Sequence, residues 1–241
     1  DKVSTVSPHY AYEIQNNNQY GRGLEGFLRT RGKDLVGILN GLDDQEWDPA
    51  KDPAIVKRYS DQSSNLSVLK AQCKADLRSE SGLPKKSKVP IIGMVSRLDP
   101  QKGLQHLPAV IAGLIKNQIA AQWVILGQGD AQIEKSLRAL ARKYPQNIYS
   151  HHNFSNALAH KIYAGSDLFF MPSEFEPCGI SQMIALKYGT IPVVTPTGGL
   201  IDTVKPWDPK KKTGSGFVSS DISVPALIQA LSEGINQYTR K

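Results

Sequence analysis

From residue 89 onward, short apolar runs alternate with stretches in which apolar residues recur every three or four positions. The runs are short, branched and continuously apolar, which predicts buried strands at 89–95, 123–126, 148–149, 167–171 and 191–194. The spaced stretches predict amphipathic helices near 104–115, 133–141, 156–164, 179–188 and 224–235. Strand, loop and helix in repeated succession indicate an α/β fold with a doubly wound, Rossmann-like parallel sheet. Its ligand is expected beyond the carboxyl ends of the strands.

Residues 1–88 lack this alternation. Positions 3–6 and 35–39 are strand-like, a polar segment separates them, and a weakly helical, charged stretch follows at 65–81. These patterns are too sparse for a second independent core. We therefore expect 1–39 to be the tail of a preceding domain, 40–88 to be an interdomain hinge and connector, and 89–241 to be the ligand-binding domain.

Composition narrows the class of protein. The chain has 29 Lys and Arg against 22 Asp and Glu, a net charge of +7, which favours contact with phosphate, nucleic acid or anionic lipid without choosing among them. The basic runs at 85–88 and 210–212 are interpreted as solvated loops. No apolar run approaches the roughly 20 residues that span a bilayer, and no signal-peptide pattern opens the chain. Cys73 and Cys178 lie far apart with no Cys or His partner at metal-ligand spacing, so we expect neither a disulfide nor a metal site.

Two cations follow the first predicted strand of the sheet. Taken one at a time, Arg97 and Lys102 are interpreted as surface residues. Because both follow the carboxyl end of a parallel strand, together they favour a phosphate site. Gly127 begins the turn after the second strand, where a tight turn and a ligand contact are equally good interpretations. Gln132 stands where a dinucleotide fingerprint requires its third glycine, so a NAD site is disfavoured.

An acidic loop after the fourth predicted strand runs into a glycine-led helix start. The N–H groups around Gly179, those of Cys178 and Ile180 included, and the Ser181 hydroxyl can donate to an anion. Glu176 would repel a phosphate, so it suits sugar hydroxyls or a cationic transition state. The Cys178 thiol is interpreted as packed rather than nucleophilic, because no base lies near it in the sequence.

A second pair of donors follows the last predicted strand. Gly198 and Gly199 open another helix and offer backbone N–H groups to an anion. Three anion-suited loops and one sugar-suited carboxylate at one sheet edge together favour a sugar nucleotide. The sequence contains no D-x-D motif, so we expect Arg97 and Lys102, rather than a metal, to neutralise the diphosphate, and we expect no cofactor.

Several ordered motifs also resemble those of a known family, the bacterial glycogen synthases and plant starch synthases. They are VSTVSP at 3–8, ILNG at 38–41, WDP at 47–49, VSRL at 95–98, QKG at 101–103, FEPCG at 175–179, KYGT at 187–190 and TGGLIDTV at 197–204. The resemblance implies the two-domain GT-B architecture. It also implies retaining transfer of glucose from ADP-glucose, or UDP-glucose, to the 4-OH end of an α-1,4-glucan.

Carried over by position, the resemblance assigns roles to individual residues. Arg97 and Lys102 match the pair on the leaving diphosphate, and Glu176 matches the glutamate at the donor glucose. Ser181 and the amides around Gly179 fall where phosphate oxygens bind.

Other matched positions surround this centre. Gly198 and Gly199 fall in a Gly-Gly loop near the donor, and Asn40 falls in the hinge, facing the cleft. Phe154 falls where an aromatic ring meets the base, although an ordinary core position is an equally good interpretation. Ile184 stands where many GT-B enzymes have a second glutamate that holds the ribose, a loss that glycogen and starch synthases commonly share.

The family's N-terminal domain carries a Lys-x-Gly-Gly loop and supplies a His and an Asp to the cleft, none of which this sequence contains. We therefore expect the donor-binding half of the enzyme, with little activity of its own, the strands at 3–6 and 35–39 orphaned or rearranged, and the final crossing helix cut after residue 238. Expected partners are the nucleotide-sugar donor, the α-glucan acceptor and the missing N-terminal domain, with no nucleic acid and no membrane. The expected compartment is the bacterial cytoplasm, or alternatively a plastid stroma. Two alternatives remain: a non-catalytic polyanion- or glucan-binding module, and a GT-B glycosyltransferase with another acceptor.

Overall fold

The computed structural model describes residues 1–86 and 88–239. Its strands are β1 (Val3–Thr5), β2 (Leu35–Gly37), β3 (Ile91–Val95), β4 (Gln122–Leu126), β5 (Ile148–His151), β6 (Leu168–Met171), β7 (Ile191–Val194) and β8 (Phe217–Val218). Its α-helices are α1 (Pro8–Asn16), α2 (Asn18–Gly21), α3 (Glu25–Arg31), α4 (Leu66–Glu80), α5 (Leu107–Lys116), α6 (Ala131–Lys143), α7 (Asn156–Gly165), α8 (Ser181–Lys187), α9 (Gly198–Thr203) and α10 (Val224–Thr239). The predicted basic run at 85–88 includes Ser87, which lies outside the described residues, as do Arg240 and Lys241.

Strands β3 to β8 form one sheet in the order β5-β4-β3-β6-β7-β8, and every neighbouring pair is parallel. The chain moves outward in one direction from β3 through β4 to β5, then returns to place β6 on the other side of β3. This reversal confirms the predicted doubly wound α/β fold and puts its switch point between β3 and β6. Strand β8 was not predicted, because two residues are too short to leave a periodic pattern.

Helices cover both faces of this sheet. Successive side chains of β3 point to opposite sides, so Ile92 and Met94 join one apolar cluster and Ile91 joins the other. Helices α5 and α10 contribute to the first cluster, and α4 and α7 contribute to the second. Burial on both faces explains why the strand sequences are continuously apolar instead of alternating.

The N-terminal segment forms a small unit of its own. Strands β1 and β2 pair in parallel, with Val3 opposite Leu35. Of the two expected outcomes, orphaned or rearranged strands, the first is therefore wrong, and the second stays a prediction. Helix α1 begins where the Ser7 hydroxyl accepts from the Tyr10 N–H, and it packs against α9. The domain boundaries after residues 39 and 88 remain predictions.

The connector contributes the helix that the sequence predicted at 65–81, found as α4. Ahead of it, the buried Asp52 carboxylate accepts from the Tyr188 hydroxyl and contacts His160 Nδ1. The connector is thereby fixed to the sheet domain.

Over the two described stretches of the chain, no helix combines the length and apolar character needed to cross a bilayer.

Candidate functional site

The carboxyl ends of β3 and β6 open into a cavity of about 390 Å³ at the switch point. Arg97 and Lys102 reach it from the loop after β3, and Glu176 reaches it from the loop after β6. The segment 178–181 and the exposed Asn40 complete the part of its lining that the sequence predicted. Residues predicted from separate loops therefore share one hollow.

Hydrogen bonds between two loops bring Lys102 and Glu176 together. The Gln101 carbonyl accepts from the Glu174 N–H at 2.9 Å, and the Gln101 side-chain amide donates to the Phe175 carbonyl at 3.2 Å. These bonds join residues that lie 73 and 74 positions apart in the sequence. Because these two loops are hydrogen-bonded to each other, Lys102 after β3 lies next to Glu176 after β6.

Glu176 is a buried carboxylate with two partners on one oxygen. Lys102 Nζ lies 2.6 Å from its Oε2, and the Ser173 hydroxyl donates to the same oxygen at 3.1 Å. Only 7% of Glu176 is exposed, so the ion pair offsets a desolvation cost that an isolated buried carboxylate would bear in full. The sequence indicated both residues but not their pairing.

Arg97 differs from Lys102 in its surroundings. Its side chain is exposed at the cavity, and it forms no ion pair with any residue in 1–86 or 88–239. A guanidinium in this state can bind an anion through two parallel N–H groups without first giving up a protein partner.

The glycine-led loop before α8 is fixed by hydrogen bonds from a buried side chain. The Gln182 amide donates to the carbonyls of Cys178 and Gly179 at 3.1 and 3.2 Å. Gly179 has a φ of +69°, in the left-handed region that favours glycine, and Ser181 begins the helix. Cys178 is buried and its thiol is free, as the packed interpretation expects.

A second cavity, also about 390 Å³, adjoins the first and shares Arg97 with it. Gly127 and Phe154 lie in its lining. Phe154 is 85% exposed, so its interpretation as an ordinary core residue is wrong, and its ring is open to stacking. A Cβ on Gly127 would lie 2.2 Å from the Ser96 carbonyl oxygen, so the close approach of two loops requires glycine there.

Gly198 and Gly199 are placed beside this centre but are not open donors. The Gly198 N–H donates to Glu13 Oε1 at 3.0 Å, and the Gly199 N–H donates to the Glu176 carbonyl at 3.0 Å. The expectation that both amides await an anion therefore differs from the structure, in which each already has an acceptor on the protein. Sequence reasoning missed Glu13, whose only signal is an acidic residue between the buried positions Ala11 and Ile14.

Two further sets of residues lie outside this cavity or bear on metal binding. The lysines at 210–212 are exposed on a turn, as a solvated loop would be. Throughout the described residues, His, Cys, Asp and Glu form no group of three or more suited to a metal ion. The cations that face the cavity are Arg97 and Lys102.

The fold and the cavity define a class: a Rossmann-like domain with a cavity at the switch point of its sheet, faced by two cations. The model of the glycosyl transferases group 1 family matches residues 76–240, and the chain belongs to that family.

Individual relatives extend the similarity over the whole chain. A glycogen synthase of Thermotoga petrophila is 45% identical over 241 residues, which are all of this chain and 48% of that protein. The catalytic domain of starch synthase IV from Arabidopsis thaliana, solved bound to ADP and acarbose, matches with a TM-score of 0.90 and 34% identity over 100% of this chain and 49% of its own. This chain thus spans about half the length of the relatives it matches.

A more distant structure shows the fold alone. The C-terminal domain of a glycosyl transferase group 1 family protein from Francisella tularensis has a TM-score of 0.59 at 15% identity, and the match covers 83% of this chain and 92% of that domain. Together with the starch synthase neighbour, it establishes the sheet domain as the C-terminal domain type of GT-B glycosyltransferases.

Proposed function

We propose that this chain is the donor-binding half of a glycogen or starch synthase. The reaction is transfer of glucose from ADP-glucose, or UDP-glucose, to the non-reducing end of an α-1,4-glucan with retention of configuration. The observation that carries the proposal is the shared cavity in which Arg97, Lys102 and Glu176 meet at the switch point. The names of the relatives support glycogen or starch synthesis, and the ADP bound in the plant structure supports an ADP-linked donor.

The two cations act on the leaving group. As the bond between glucose C1 and the phosphate oxygen breaks, negative charge grows on the departing diphosphate. Arg97 binds it through two N–H groups, and Lys102 adds a point charge from the same loop. The N–H groups around Gly179 and the Ser181 hydroxyl supply further donors from the loop before α8. All of these groups belong to the chain itself.

Glu176 acts on the sugar. Its carboxylate is held in the cavity by Lys102 and Ser173, so it can accept hydrogen bonds from donor hydroxyls in a fixed geometry. The same negative charge stabilises the oxocarbenium character that develops at C1. Because Lys102 contacts Glu176, one ammonium group links the sugar side of the cavity to the diphosphate side.

The base lies in the adjoining cavity. The exposed Phe154 ring offers a face on which adenine or uracil can stack, and Arg97 lies where the two cavities meet. Stacking does not read the hydrogen-bonding edge of a base, so this contact accepts either nucleotide. We place the acceptor glucan on residues outside this chain and the protein in the bacterial cytoplasm, as the bacterial relatives favour.

The proposal is tested by titrating ADP into the 241-residue chain in a calorimeter. We expect binding of the wild-type chain and an affinity reduced about tenfold or more in Arg97→Ala, since a charge-assisted contact is lost. Arg142→Ala is the matched control, because it removes the same charge from the exposed surface of α6. Equal ADP affinity in all three proteins would contradict the assignment of Arg97.

Two further assays separate the alternatives. Incorporation of labelled glucose into glycogen should be little or absent with this chain alone, and robust polymer synthesis would refute its role as a half-site. Binding of long DNA with a steep salt dependence, and no binding of ADP, would instead favour a polyanion-binding module.

A further inference from the structure

The N-terminal segment packs directly against the loop that leads to Glu176. The Tyr10 and Tyr20 rings lie against Phe175 from two directions, with centroids 5.4 and 5.3 Å away. The Tyr20 hydroxyl donates to the Glu174 carbonyl at 3.1 Å. Residues far upstream of the sheet domain thus hold the loop that carries the buried carboxylate.

Glu13 makes the corresponding contact with the Gly-Gly loop. Its Oε1 accepts from the Gly198 N–H at 3.0 Å and lies 3.4 Å from the Thr197 hydroxyl. Glu13 is 8% exposed, and His9 Nε2 lies 3.5 Å from the same oxygen. Its other oxygen, Oε2, is buried without a hydrogen-bond partner among the described residues. Burying a carboxylate with one oxygen unpartnered costs free energy. The contact of the other oxygen with the Gly-Gly loop offsets part of that cost.

The Gly-Gly loop in turn supports the cavity wall. The Gly199 N–H donates to the Glu176 carbonyl at 3.0 Å. A Cβ on Gly198 would lie 2.0 Å from that same carbonyl oxygen, and one on Gly199 would lie 2.0 Å from the Cys178 carbonyl oxygen. The loop therefore rests on the backbone of 176–178 without an intervening side chain, and a shift of the loop moves the cavity wall.

We propose that Glu13 is a positioning residue for the donor site: it fixes the Gly198–Gly199 loop and, through it, the backbone at Glu176 and Cys178. The effect of Glu13 on ADP affinity rests on the proposed function, whereas its effect on the Gly198–Gly199 loop can be measured without a ligand. Glu13 itself does not line the cavity, so it acts only through the loop.

Three variants test the role of Glu13. Glu13→Ala removes the acceptor, and Glu13→Gln keeps an oxygen that can accept from the Gly198 N–H. Glu25→Ala removes a carboxylate from the same N-terminal segment, where Glu25 accepts from the Gly23 N–H.

The first measurement is hydrogen exchange of the Gly198 and Gly199 amides, followed by NMR without any ligand. We expect exchange to accelerate about tenfold or more in Glu13→Ala and to stay within about threefold of wild type in Glu13→Gln and Glu25→Ala. Unchanged exchange in Glu13→Ala would overturn the inference. If Glu13→Ala does not fold, exchange in Glu13→Gln decides: protection near wild type supports the inference, and loss of protection overturns it.

The second measurement is the affinity for ADP. It should fall about tenfold in Glu13→Ala and recover to within about threefold in Glu13→Gln, a rescue that general destabilisation of the fold would not give. If wild type binds no ADP, the proposed function fails, and the exchange data still decide the role of Glu13. If wild type binds ADP and Glu13→Ala binds it equally well, the inference about Glu13 fails alone.

Discussion

The buried ammonium group of Lys70 is surrounded by uncharged oxygen atoms. Its Nζ donates to the Ala164 and Tyr188 carbonyls at 3.0 and 2.7 Å and to the Thr190 hydroxyl at 3.1 Å. These bonds tie α4 to the ends of α7 and α8. Burial lowers the pKa of Lys70 from 10.5 to about 8, and the charge of Asp167 offsets only part of that effect.

The depressed pKa predicts a stability change at alkaline pH. Between about pH 8 and 10.5 the unfolded chain holds a proton at Lys70 that the folded chain has lost, so the free energy of unfolding rises with pH. Urea unfolding at about pH 7.5 and about pH 10 should therefore favour wild type over Lys70→Met more strongly at the higher pH. Burial raises the pKa of Cys73 and the charge of Lys70 lowers it, so both proteins are compared in a Cys73→Ser background, in which this thiol does not titrate. A stability difference that is the same at both pH values would contradict the prediction.

At the scale of elements, the loop after β3 depends on a single glycine. Gly103 has a φ of +67°, and a Cβ there would lie 1.8 Å from the Pro172 carbonyl oxygen. Since the clash is with backbone, no side-chain rotation can relieve it. This glycine lets the Lys102 loop lie directly on the loop that carries Glu176.

We therefore expect Gly103→Ala to destabilise the protein by about 2 kcal/mol or more in chemical denaturation. Gly26→Ala is the control, because Gly26 lies in α3 without a positive φ, and a Cβ there would have no neighbour within 4 Å. That change should leave stability unchanged or raise it by up to about 1 kcal/mol. Equal effects of the two substitutions would count against the close packing of these loops.

The sequence predicted the buried strands of the sheet but not the short helices of the N-terminal segment. Strand β7 was predicted at 191–194 and is found there, because burial on both faces of a parallel sheet leaves a continuous apolar run. Helices α1 to α3 were not predicted, since they are short: α1 has nine residues and buries three of them, and no residue of α3 is buried. Short polar helices leave no strong period in a sequence.

The same distinction applies to the site. The carboxyl ends of parallel strands share one edge, so the sequence alone could bring Arg97, Lys102 and Glu176 to one cavity. The use of the Gly198 amide could not be foreseen, because its acceptor Glu13 lies 185 positions away. Contacts of that kind depend on how the N-terminal segment packs, which no local pattern encodes.

For the whole molecule, Asp52 joins the connector to the sheet domain. Its carboxylate accepts from the Tyr188 hydroxyl at 2.6 Å and from the Ala54 N–H at 2.8 Å, and His160 Nδ1 lies 2.8 Å away. The Trp47 ring stacks on His160 with centroids 4.3 Å apart. Burial, with the hydrogen bond to Asp52, raises the pKa of Tyr188, so this hydroxyl remains a donor at neutral pH.

Removing this carboxylate should loosen the connector. We expect Asp52→Ala to lower the free energy of unfolding by about 3 kcal/mol, because buried donors lose their acceptor. Asp44→Ala removes a carboxylate that is 75% exposed beside Lys187, and it should change stability by less than about 0.5 kcal/mol. Thermal unfolding of both variants checks the prediction, and similar melting temperatures for the two would contradict it.

In the function proposed for this chain, the cavity at the switch point holds the diphosphate and the glucose, and the adjoining cavity holds the base. A crystal structure of the chain grown with ADP tests that placement most directly. We expect the diphosphate in contact with Arg97, Lys102 and the N–H groups around Gly179, with the adenine against Phe154. ADP bound elsewhere on the chain, with those two cations facing solvent, would contradict it.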